Sequence, residues 1–525
     1  MGYSILARDE HLENNGAPKR ILTLDGGGLR GIYSIGILQE MENLLRERHG
    51  GGDDFRLAHY FDLIAGTSTG AIIAAALALG WKVEDLRKKY MELGHAVFRK
   101  SLLRRGYVRA RYDHRRLTEE LKAVYGEDTT LGDAALQTGL LIVTKRLDTG
   151  SPWPISNNPK GRYFKSRKGG VLGNGSYLLW QVVRASTAAP TFFRPEPVVI
   201  GDGRSGERIV GSFVDGGVSP FNNPALQAFM YATLAGYRLE WPAGRDRILL
   251  VSVGTGTRDS SVKPNRLAGL LGRDSLISLM DDAASLQEVM LQWLSDSPTA
   301  RHIDRELGAL QGDLLGGAPM LHYLRYNVNL TRESVRQLKP EVPDERISSL
   351  NEMDAPGNME VLYELGVETA RRDLRASHFP AHFDLPEPPL PLGNRKRYRK
   401  RADQRVVAVR LDLETEGFCY RKWGGEQCCK AGDWLVCNNG DTYTVDADVF
   451  ATTYRQVAPG QYVKVAPVWA EVAITSGSIH TREGESRYRA GDYLVYDRQE
   501  GGEGYCMSAE RFVSMYEPDE EPSRD

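Results

Sequence analysis

Phe61-Asp62-Leu63-Ile64-Ala65-Gly66-Thr67-Ser68-Thr69-Gly70 is the stretch that decides the fold, and the apolar run from Ala71 to Leu79 follows it. This order predicts a short buried strand, a tight turn and a helix, with Ser68 at the apex of the turn. Gly66 and Gly70 flank the serine because side chains there would clash as strand and helix close together. The helix points its free N–H groups at the turn, which favours an alkoxide and the oxyanion that its attack produces. The pattern predicts a nucleophilic serine, although glycine-rich strand-to-helix turns also occur for packing alone.

Length and composition describe a soluble protein of several domains. The chain has 525 residues, 41% of them hydrophobic and 26% charged, so we expect two or three domains. A formal net charge of −2 gives no general attraction to nucleic acid or anionic lipid. Met1 to Arg20 has no apolar core segment of a signal peptide, and the apolar runs fall short of the roughly 20 residues of a membrane span. We expect a cytoplasmic protein, peripheral at the inner membrane when active.

The cysteines lie in the last quarter of the chain, at Cys419, Cys428, Cys429, Cys437 and Cys506. An odd number without a secretion signal predicts reduced thiols in a cytosol. A metal site is the competing interpretation, but Cys428-Cys429 is not a C-x-x-C pair and His480 is the only nearby histidine. We therefore expect no metal.

A repeated order of strand, loop and helix predicts the fold class. Ile21 to Leu24 forms a first buried strand, Asp25 to Gly31 is a glycine-rich loop, and the helix after it carries apolar residues at helical spacing. The strand before Ser68 begins a second such unit. This alternation predicts an α/β sandwich with a largely parallel sheet.

Further elements follow the same pattern. We expect strands at 140–144, 209–214 and 248–253, and a helix from Trp180 to Ala189. Ser275 to Leu294 carries apolar residues on one helical face, which is typical of a core helix and also compatible with a mobile lid beside a lipid site. Arg99 to Arg116 is basic, as a solvated face or as a contact to phosphate or anionic membrane.

The last third of the chain changes in character. An N-terminal extension, 1–17, precedes the main domain, 18–375, and a proline-rich and basic linker, 376–403, follows it. Its basic end, Arg395 to Arg401, is either solvated or a contact to lipid headgroups or nucleic acid. Lys430-Ala431-Gly432-Asp433-Trp434-Leu435-Val436 recurs as Arg489-Ala490-Gly491-Asp492-Tyr493-Leu494-Val495. Residues 404–517 are therefore predicted to be a duplicated β-rich module, with units near 404–460 and 465–517 and an acidic tail at 518–525.

A serine nucleophile needs a base and an oxyanion hole, and the sequence offers both. Asp215 ends a predicted strand and has only Gly216 and Gly217 beside it, so it can approach Ser68 closely. Gly26, Gly27 and Gly28 can point backbone N–H groups into a cavity. No histidine follows an equivalent strand end, which favours a Ser-Asp dyad over a triad. The glycine loop lacks the endings of a P-loop or dinucleotide loop, so we discount nucleotide binding there.

Three blocks in this order resemble the signature of patatin-like phospholipases: Asp25-Gly26-Gly27-Gly28-Leu29-Arg30-Gly31, Gly66-Thr67-Ser68-Thr69-Gly70 and Asp215-Gly216-Gly217. Residues 184–193, 251–256 and 353–358 are similar to supporting stretches of that family. The resemblance covers about residues 18–375 and leaves the duplicated module outside it.

The resemblance implies a three-layer α/β/α sandwich with a mostly parallel central sheet. It also implies fatty-acid release from phospholipids, of the phospholipase A or lysophospholipase type, by Ser68 as nucleophile and Asp215 as base. Gly26, Gly27 and Gly28 would form the oxyanion hole, while Arg30, Gly66, Gly70 and Gly216 would support the loops or the substrate. No cofactor is implied.

Some bacterial members of this family are effectors of anti-phage systems. By that resemblance we expect regulation through the C-terminal module, with a phospholipid surface, an activating ligand or protein and a second copy of the chain as partners, and no specific nucleic acid. Two alternatives remain: a neutral-lipid esterase or thioesterase, and a signal-gated scaffold in which hydrolysis is not the main output.

Overall fold

The protein is described by a computed structural model. It describes residues 3–98, 112, 114–166, 170–190, 192–202, 207–257, 268–386, 395–401, 403–415, 417–422, 425–438, 440–473, 477–481, 484–499, 501 and 504–519. The chain forms two compact units, unit 1 from Met1 to Pro386 and unit 2 from Glu387 to Asp525.

Unit 1 is built on one mixed sheet. Its strands are β1 (Lys19–Leu24), β2 (Leu63–Thr67), β3 (Gly139–Arg146), β4 (Pro152–Ser156), β5 (Glu196–Asp202), β6 (Arg208–Asp215), β7 (Ile248–Val253), β8 (Ser295–Asp296) and β9 (Leu321–Tyr326). Their order is β5-β6-β3-β2-β1-β7-β9-β8, and β4 also pairs with β3. All pairs from β3 to β8 along this order are parallel, whereas β4, β5 and β6 pair antiparallel. The predicted parallel centre is confirmed, and antiparallel strands extend it on one side.

Helices cover both faces of this sheet. They are α1 (Arg8–His11), α2 (Gly31–Arg48), α3 (Leu57–Tyr60), α4 (Thr69–Ala78), α5 (Val83–Val97), α6 (His114–Tyr125), α7 (Leu179–Ser186), α8 (Ala225–Thr233), α9 (Ala268–Leu294), α10 (Arg332–Leu338), α11 (Asp344–Leu350) and α12 (Met359–Asp373). Along β1, Leu22 and Leu24 belong to one apolar core and Ile21 to another, because successive side chains point to opposite faces. Strands buried on both faces read as continuous apolar runs, which is why the sequence revealed them. The predicted three-layer sandwich is confirmed.

Unit 2 is β-rich. Its strands are β10 (Lys396–Lys400), β11 (Arg405–Arg410), β12 (Phe418–Lys422), β13 (Gly425–Cys429), β14 (Trp434–Asn438), β15 (Asp441–Val445), β16 (Tyr454–Ala458), β17 (Gln461–Lys464), β18 (Val468–Val472), β19 (Gly477–Thr481), β20 (Gly484–Tyr488), β21 (Tyr493–Tyr496), β22 (Gly504–Met507) and β23 (Tyr516–Pro518), with helices α13 (Ala447–Thr453) and α14 (Ala509–Met515). Two five-stranded sheets have the orders β15-β14-β11-β17-β16 and β22-β21-β18-β10-β23.

The two sheets are copies of each other with one strand exchanged. In the first sheet β17 lies between β11 and β16, and it follows them in the chain. The equivalent place in the second sheet, between β18 and β23, is filled by β10, which precedes the whole first copy. Residues 396–400, which the sequence analysis assigned to a linker, thus form an interior strand of unit 2.

Stacked aromatic rings repeat in both copies. Phe450 stacks on Trp434 with ring centroids 4.1 Å apart, and Phe512 stacks on Tyr493 at 3.9 Å. The Gly-Asp turn repeats as well, because Asp433 and Asp492 each accept a hydrogen bond from the backbone N–H three residues earlier. The sequence repeat therefore corresponds to a repeated local structure.

The basic stretch at β10 is paired with carboxylates. Arg397 lies 3.0 Å from Asp519, and Arg399 lies 2.9 Å from Glu517 on the neighbouring strand. Arg395 donates to Glu471 at 2.9 Å. These ion pairs explain why a stretch without an apolar pattern is held in a sheet interior. Residues 520–525 of the predicted acidic tail lie outside the described residues.

One cysteine pair differs from the expectation of reduced thiols. Cys419 and Cys428 lie opposite each other in the hairpin of β12 and β13 and form a disulfide. Cys429, Cys437 and Cys506 are not part of a disulfide. The expectation of reduced thiols is therefore wrong for the hairpin pair, because the strand register places the two side chains together.

The described residues contain no helix that is long and apolar enough to cross a membrane. They also contain no group of three or more His, Cys, Asp or Glu side chains placed to hold a metal ion.

Candidate active site

Ser68 lies in a strained turn between β2 and α4. Its φ of 55° and ψ of −122° are unusual for a residue with a side chain. A Cβ on Gly66 would collide with the carbonyl of Gly70, and a Cβ on Gly70 would collide with the carbonyl of Leu24. The two glycines thus let the strand, the turn and the helix close on one another, as the sequence predicted.

The sheet register brings Asp215 to Ser68. Thr67 pairs with Val143, and Asp215 at the end of β6 pairs with the next residue, Thr144. The Ser68 hydroxyl donates a hydrogen bond to Asp215 Oδ2 at 2.5 Å. The other carboxylate oxygen, Oδ1, accepts from the Gly217 N–H at 2.8 Å. The carboxylate is therefore oriented before any substrate arrives.

Gly216 permits this approach. A Cβ at this position would collide with the carbonyl of Val143. The absence of a side chain therefore lets the end of β6 pack directly against β3, which is what keeps Asp215 within reach of the serine.

Burial raises the pKa of Asp215 to about 6. The Ser68 hydroxyl, the Gly217 N–H and the positive charge of Arg184 oppose this effect and keep the pKa from rising further. The carboxylate is therefore ionised at neutral pH, and its raised pKa makes it a better proton acceptor than an exposed aspartate.

Arg184 is a buried cation behind the site that the sequence reasoning did not identify as functional. Its side chain is fully buried, with Nε 3.9 Å from a Glu196 oxygen and Nη2 donating to the Arg194 carbonyl at 3.3 Å. Burial lowers its pKa and raises that of Glu196. Its helical position on α7 gives no hint of this role, because the contacts come from residues on β5 and the preceding loop.

The glycine loop supplies two free N–H groups. Gly26 donates its N–H to the Asn222 carbonyl at 3.0 Å, so it is not available to an oxyanion, and its predicted role as a donor needs correction. Among the described residues, the N–H groups of Gly27 and Gly28 have no acceptor. Gly28 has a φ of 61°, which an L-residue rarely adopts. These two N–H groups are the candidate oxyanion donors.

The Thr69 N–H is a further candidate donor. It belongs to the first turn of α4, where N–H groups have no partner inside the helix. The Ser68 N–H is already bonded to the Ser186 hydroxyl at 2.9 Å, and Ser186 donates in turn to the Val143 carbonyl at 2.7 Å. Ser186 thereby anchors the turn to β3.

Tyr90 connects the glycine loop to the serine turn. Its hydroxyl donates to the Gly28 carbonyl at 2.9 Å and contacts the hydroxyl of Thr69. No local pattern in the sequence signals this contact, because Tyr90 lies on α5, far along the chain from the loop. Arg30 instead donates to the Gly256 carbonyl at 2.9 Å, so it steadies the other end of the loop.

A largely apolar cavity of about 380 Å³ opens at the dyad. Ser68, Asp215 and the glycine loop form its polar end. Apolar side chains form the rest, namely Leu29, Ile72, Leu93, Phe98, Phe192 and Met280. A site with one polar end and an apolar body suits an ester whose acyl chain is buried.

Helix α9 carries both cavity residues and an exposed apolar stripe. Met280 and Asp281 line the cavity. Leu279, Leu286, Met290 and Trp293 are exposed by between 37% and 65%. These four residues lie on one face of the helix, which we call the α9 stripe. The expectation that this face is core is wrong for them.

No histidine lines this cavity among the described residues. His59 instead contacts the Tyr3 hydroxyl at 2.9 Å, and His322 contacts the His378 carbonyl at 3.0 Å. Much of the basic stretch at Arg99 to Arg116 lies outside the described residues.

Comparison with known proteins gives consistent matches. The sequence model of the patatin-like phospholipase family matches residues 22–229. The chain is 31% identical over 275 residues to a cGAMP-activated phospholipase of Vibrio cholerae, covering 50% of this chain and 70% of that protein. It is 31% identical over 254 residues to a cUMP-AMP-activated phospholipase of Escherichia coli, covering 48% of this chain and 68% of that protein. It is also similar to patatin-T5 of Solanum tuberosum, 29% identical over 252 residues, which cover 45% of this chain and 60% of that protein.

Proposed function

Because the chain belongs to the patatin-like phospholipase family, whose members hydrolyse lipid acyl esters, we propose that Ser68 and Asp215 are its catalytic dyad and that membrane phospholipids are its substrate. The observation that carries this proposal is the 2.5 Å hydrogen bond between the two side chains, at the strained turn and at the polar end of an apolar cavity.

In the first half of the reaction Ser68 Oγ attacks the ester carbonyl while Asp215 Oδ2 accepts the hydroxyl proton. The N–H groups of Gly27 and Gly28 hold the oxyanion, and the positive end of α4 favours the same negative charge. Asp215 then returns the proton to the departing alcohol, which leaves the fatty acid bound to Ser68 as an ester.

In the second half a water molecule attacks the acyl-Ser68 carbonyl. Asp215 removes a proton from that water, and the same N–H groups stabilise the second oxyanion. Collapse of this intermediate releases the fatty acid, and the proton goes back to Ser68 Oγ. One carboxylate thus serves both steps, which agrees with a cavity that no described histidine lines.

We assign the contact with the membrane to the α9 stripe. It is exposed, it is apolar, and it belongs to the helix whose Met280 lines the acyl cavity. Replacing Leu286 by Glu should weaken binding to phospholipid vesicles and slow their hydrolysis, while hydrolysis of a dissolved short-chain ester stays near the wild-type rate. Equal loss on both substrates would contradict a docking role.

Regulation by a soluble signal is part of the proposal. Two relatives are phospholipases activated by cyclic nucleotides, and a defence role for this chain would require that hydrolysis be held back until such a signal arrives. We expect a cyclic dinucleotide to raise the rate of vesicle hydrolysis, with unit 2 and self-association contributing to control. Size-exclusion chromatography with and without the nucleotide tests whether the nucleotide changes self-association of the chain.

The central experiment measures fatty-acid release from phospholipid vesicles, triacylglycerol emulsion and an acyl thioester, each with and without cyclic GMP-AMP. Ser68→Ala and Asp215→Asn should abolish release, whereas Ser176→Ala, an exposed serine outside the cavity, should not. Preference for triacylglycerol or thioester would replace the phospholipid assignment. Full biological activity in Ser68→Ala would favour the scaffold alternative.

A further inference from the structure

Unit 1 contains a second cavity, of about 560 Å³, and this volume is within the range of small-molecule sites, roughly 300–1,000 Å³. We call it the arginine cavity. Its wall includes the residues after β7 and β9, the segment after α9 and the end of α12. It shares no lining residue with the apolar cavity at Ser68.

The lining of the arginine cavity is cationic. Four arginines, Arg301, Arg325, Arg372 and Arg375, face only two lining carboxylates, Glu288 and Asp373. Glu288 pairs with Arg301 at 2.6 Å, and Asp373 pairs with Arg372 at 2.7 Å. Arg375 has no counter-ion among the described residues, and the counter-ion of Arg325 is Asp25, which lies outside the cavity wall.

These two guanidinium groups differ in depth. Arg375 is exposed, and its hydrogen bonds among the described residues go to backbone carbonyls, including that of Leu374 at 2.9 Å. Arg325 has a side chain only 7% exposed, and its Nε has no partner among the described residues. One cation at the rim and one near the floor can each bind an anionic group, and guanidinium matches phosphate oxygens well.

Neutral polar groups complete the wall. Thr257, Asn327, Asn329 and Ser334 line the cavity. Asn327 binds the Gly256 N–H and the Thr257 hydroxyl, and the hydroxyls of Thr257 and Ser334, which accept hydrogen bonds here, can still donate to a ligand. Burial and the charge of Arg375 lower the pKa of His378, which agrees with a positive surrounding field. This combination of two separated cations and neutral hydrogen-bonding groups suits a ligand with two phosphodiesters, sugar oxygens and base edges.

The arginine cavity is connected to the oxyanion loop through Arg325. Its Nη1 and Nη2 donate to both oxygens of Asp25, at 3.0 and 2.6 Å. Asp25 is the residue directly before Gly26, and therefore begins the loop that carries the Gly27 and Gly28 N–H groups. An anion bound beside Arg325 would either compete with Asp25 for the hydrogen bonds of the guanidinium or hold the guanidinium in one position. Either effect would change the position of Asp25 and, through Asp25, that of the oxyanion loop.

A second connection runs along α9. Glu288 of this helix lines the arginine cavity and binds Arg301, while Met280, two turns earlier, lines the acyl cavity. Because eight helical residues span about 12 Å, one rigid element touches both sites.

We propose that the arginine cavity binds the phosphodiester groups of a cyclic dinucleotide and that occupancy positions the oxyanion loop through the Arg325–Asp25 pair. This assignment rests on the proposed function, in which a cyclic nucleotide activates the phospholipase, and it gives that signal a site in unit 1 distinct from the dyad.

The test separates binding from hydrolysis. Full-length Ser68→Ala protein is titrated by calorimetry with cyclic GMP-AMP, cyclic UMP-AMP, the linear dinucleotide and inorganic phosphate. We expect at least one cyclic dinucleotide to bind, and Arg375→Gln to weaken that binding tenfold or more. Arg371→Gln, which removes an exposed arginine of α12 outside the cavity, should bind as the parent does. Arg375→Lys keeps the charge but loses the fork, so it should fall between them.

Several results would overturn the assignment. Unchanged affinity in both Arg375→Gln and Arg301→Gln would place the nucleotide elsewhere. Inorganic phosphate binding as tightly as the cyclic dinucleotides would reduce the cavity to a general anion site. Failure of every cyclic dinucleotide to bind, together with hydrolysis by wild type, would refute this inference and leave the dyad standing. A different result would separate the two proposals. If the cyclic dinucleotide binds tightly, if Arg375→Gln abolishes this binding, and if the wild type hydrolyses none of the lipids, the nucleotide site is supported and the catalytic dyad is refuted.

Discussion

Replacing Asp215 by Asn should abolish hydrolysis and at the same time stabilise the fold at neutral pH. Asn keeps the shape of the side chain, its oxygen can accept from the Gly217 N–H, and its amide can donate to Ser68 Oγ. The substitution removes the negative charge of a buried carboxylate. Burial raises the pKa of the carboxyl from 3.8 to about 6, so the ionised form is less stable in the folded protein than in the unfolded chain.

The magnitude and its pH dependence follow by linkage. Above pH 6 the wild type holds the carboxylate ionised, at a cost of about 3 kcal/mol. Between pH 6 and 4 the folded state takes up the proton first and this cost shrinks. Below pH 4 both states are protonated and the cost vanishes. For a unit of 386 residues, 3 kcal/mol corresponds to about 4 °C in the unfolding midpoint.

Thermal unfolding of wild type and Asp215→Asn at pH 7.5 and pH 4.5 measures this gain. Ser68→Ala is the matched control, since it is also inactive but keeps the carboxylate and loses the hydroxyl that lowers its pKa. We expect a gain for Asp215→Asn at pH 7.5, a smaller one at pH 4.5 and none for Ser68→Ala. Equal stability of Asp215→Asn and wild type at pH 7.5, or a gain that does not shrink with acidification, would refute the assignment of a raised pKa.

Three further predictions concern the same site. The kcat/KM of wild type on a dissolved short-chain ester should fall about tenfold from pH 7 to pH 5, because Asp215 must be unprotonated to act as base; a flat profile there would exclude it. Tyr90→Phe removes the hydroxyl that donates to the Gly28 carbonyl, so kcat should fall by about tenfold with little change in KM; a change in KM alone would assign Tyr90 to substrate binding. Arg184→Met removes a charge that lowers the pKa of Asp215, so the acidic limb of the profile should move to higher pH; an unmoved limb, in a variant whose circular dichroism is that of wild type, would contradict this influence.

The sequence predicts the serine turn and its neighbours well, because backbone geometry limits the residue types there. A collision with a carbonyl would follow from any Cβ on Gly66, Gly70 or Gly216, so glycine marks these places directly. The strands of the central sheet are equally readable, because burial on both faces demands continuous apolar runs. Constraints of this kind act within a few residues, so the local sequence is enough to predict the structure there.

Other features depend on contacts between distant parts of the chain and leave no signature in the local sequence. The N–H of Gly26 is lost to the Asn222 carbonyl, and the loop is held by Tyr90 from another helix. Arg184 resembles any helical arginine, and its burial against Glu196 appears only when β5 packs beside α7. The exposed side of the α9 stripe has the same periodicity as a core face, so the pattern alone could not distinguish the two.

The sequence also did not predict strand β10, because Lys396 to Lys400 contains four basic residues and one aromatic residue and so has no apolar alternation. What makes it a strand is the set of partners that it finds at Glu517 and Asp519, at the far end of the chain. Its propensity is set by charge complementarity across the sheet, which no local window can reveal.

The exchanged position of β10 has a consequence for how the chain is made. On the ribosome β10 emerges before the first copy of the repeat, yet its neighbours β18 and β23 emerge after it. The second sheet therefore cannot close until β23 has been synthesised, and the long loop between β10 and its partners makes this pairing slow. A chain that stops before Tyr516 leaves one edge of β10 without its partner. Such an exposed edge can pair with strands of other molecules. We therefore expect a product that stops before Tyr516 to aggregate more readily than one that contains β23.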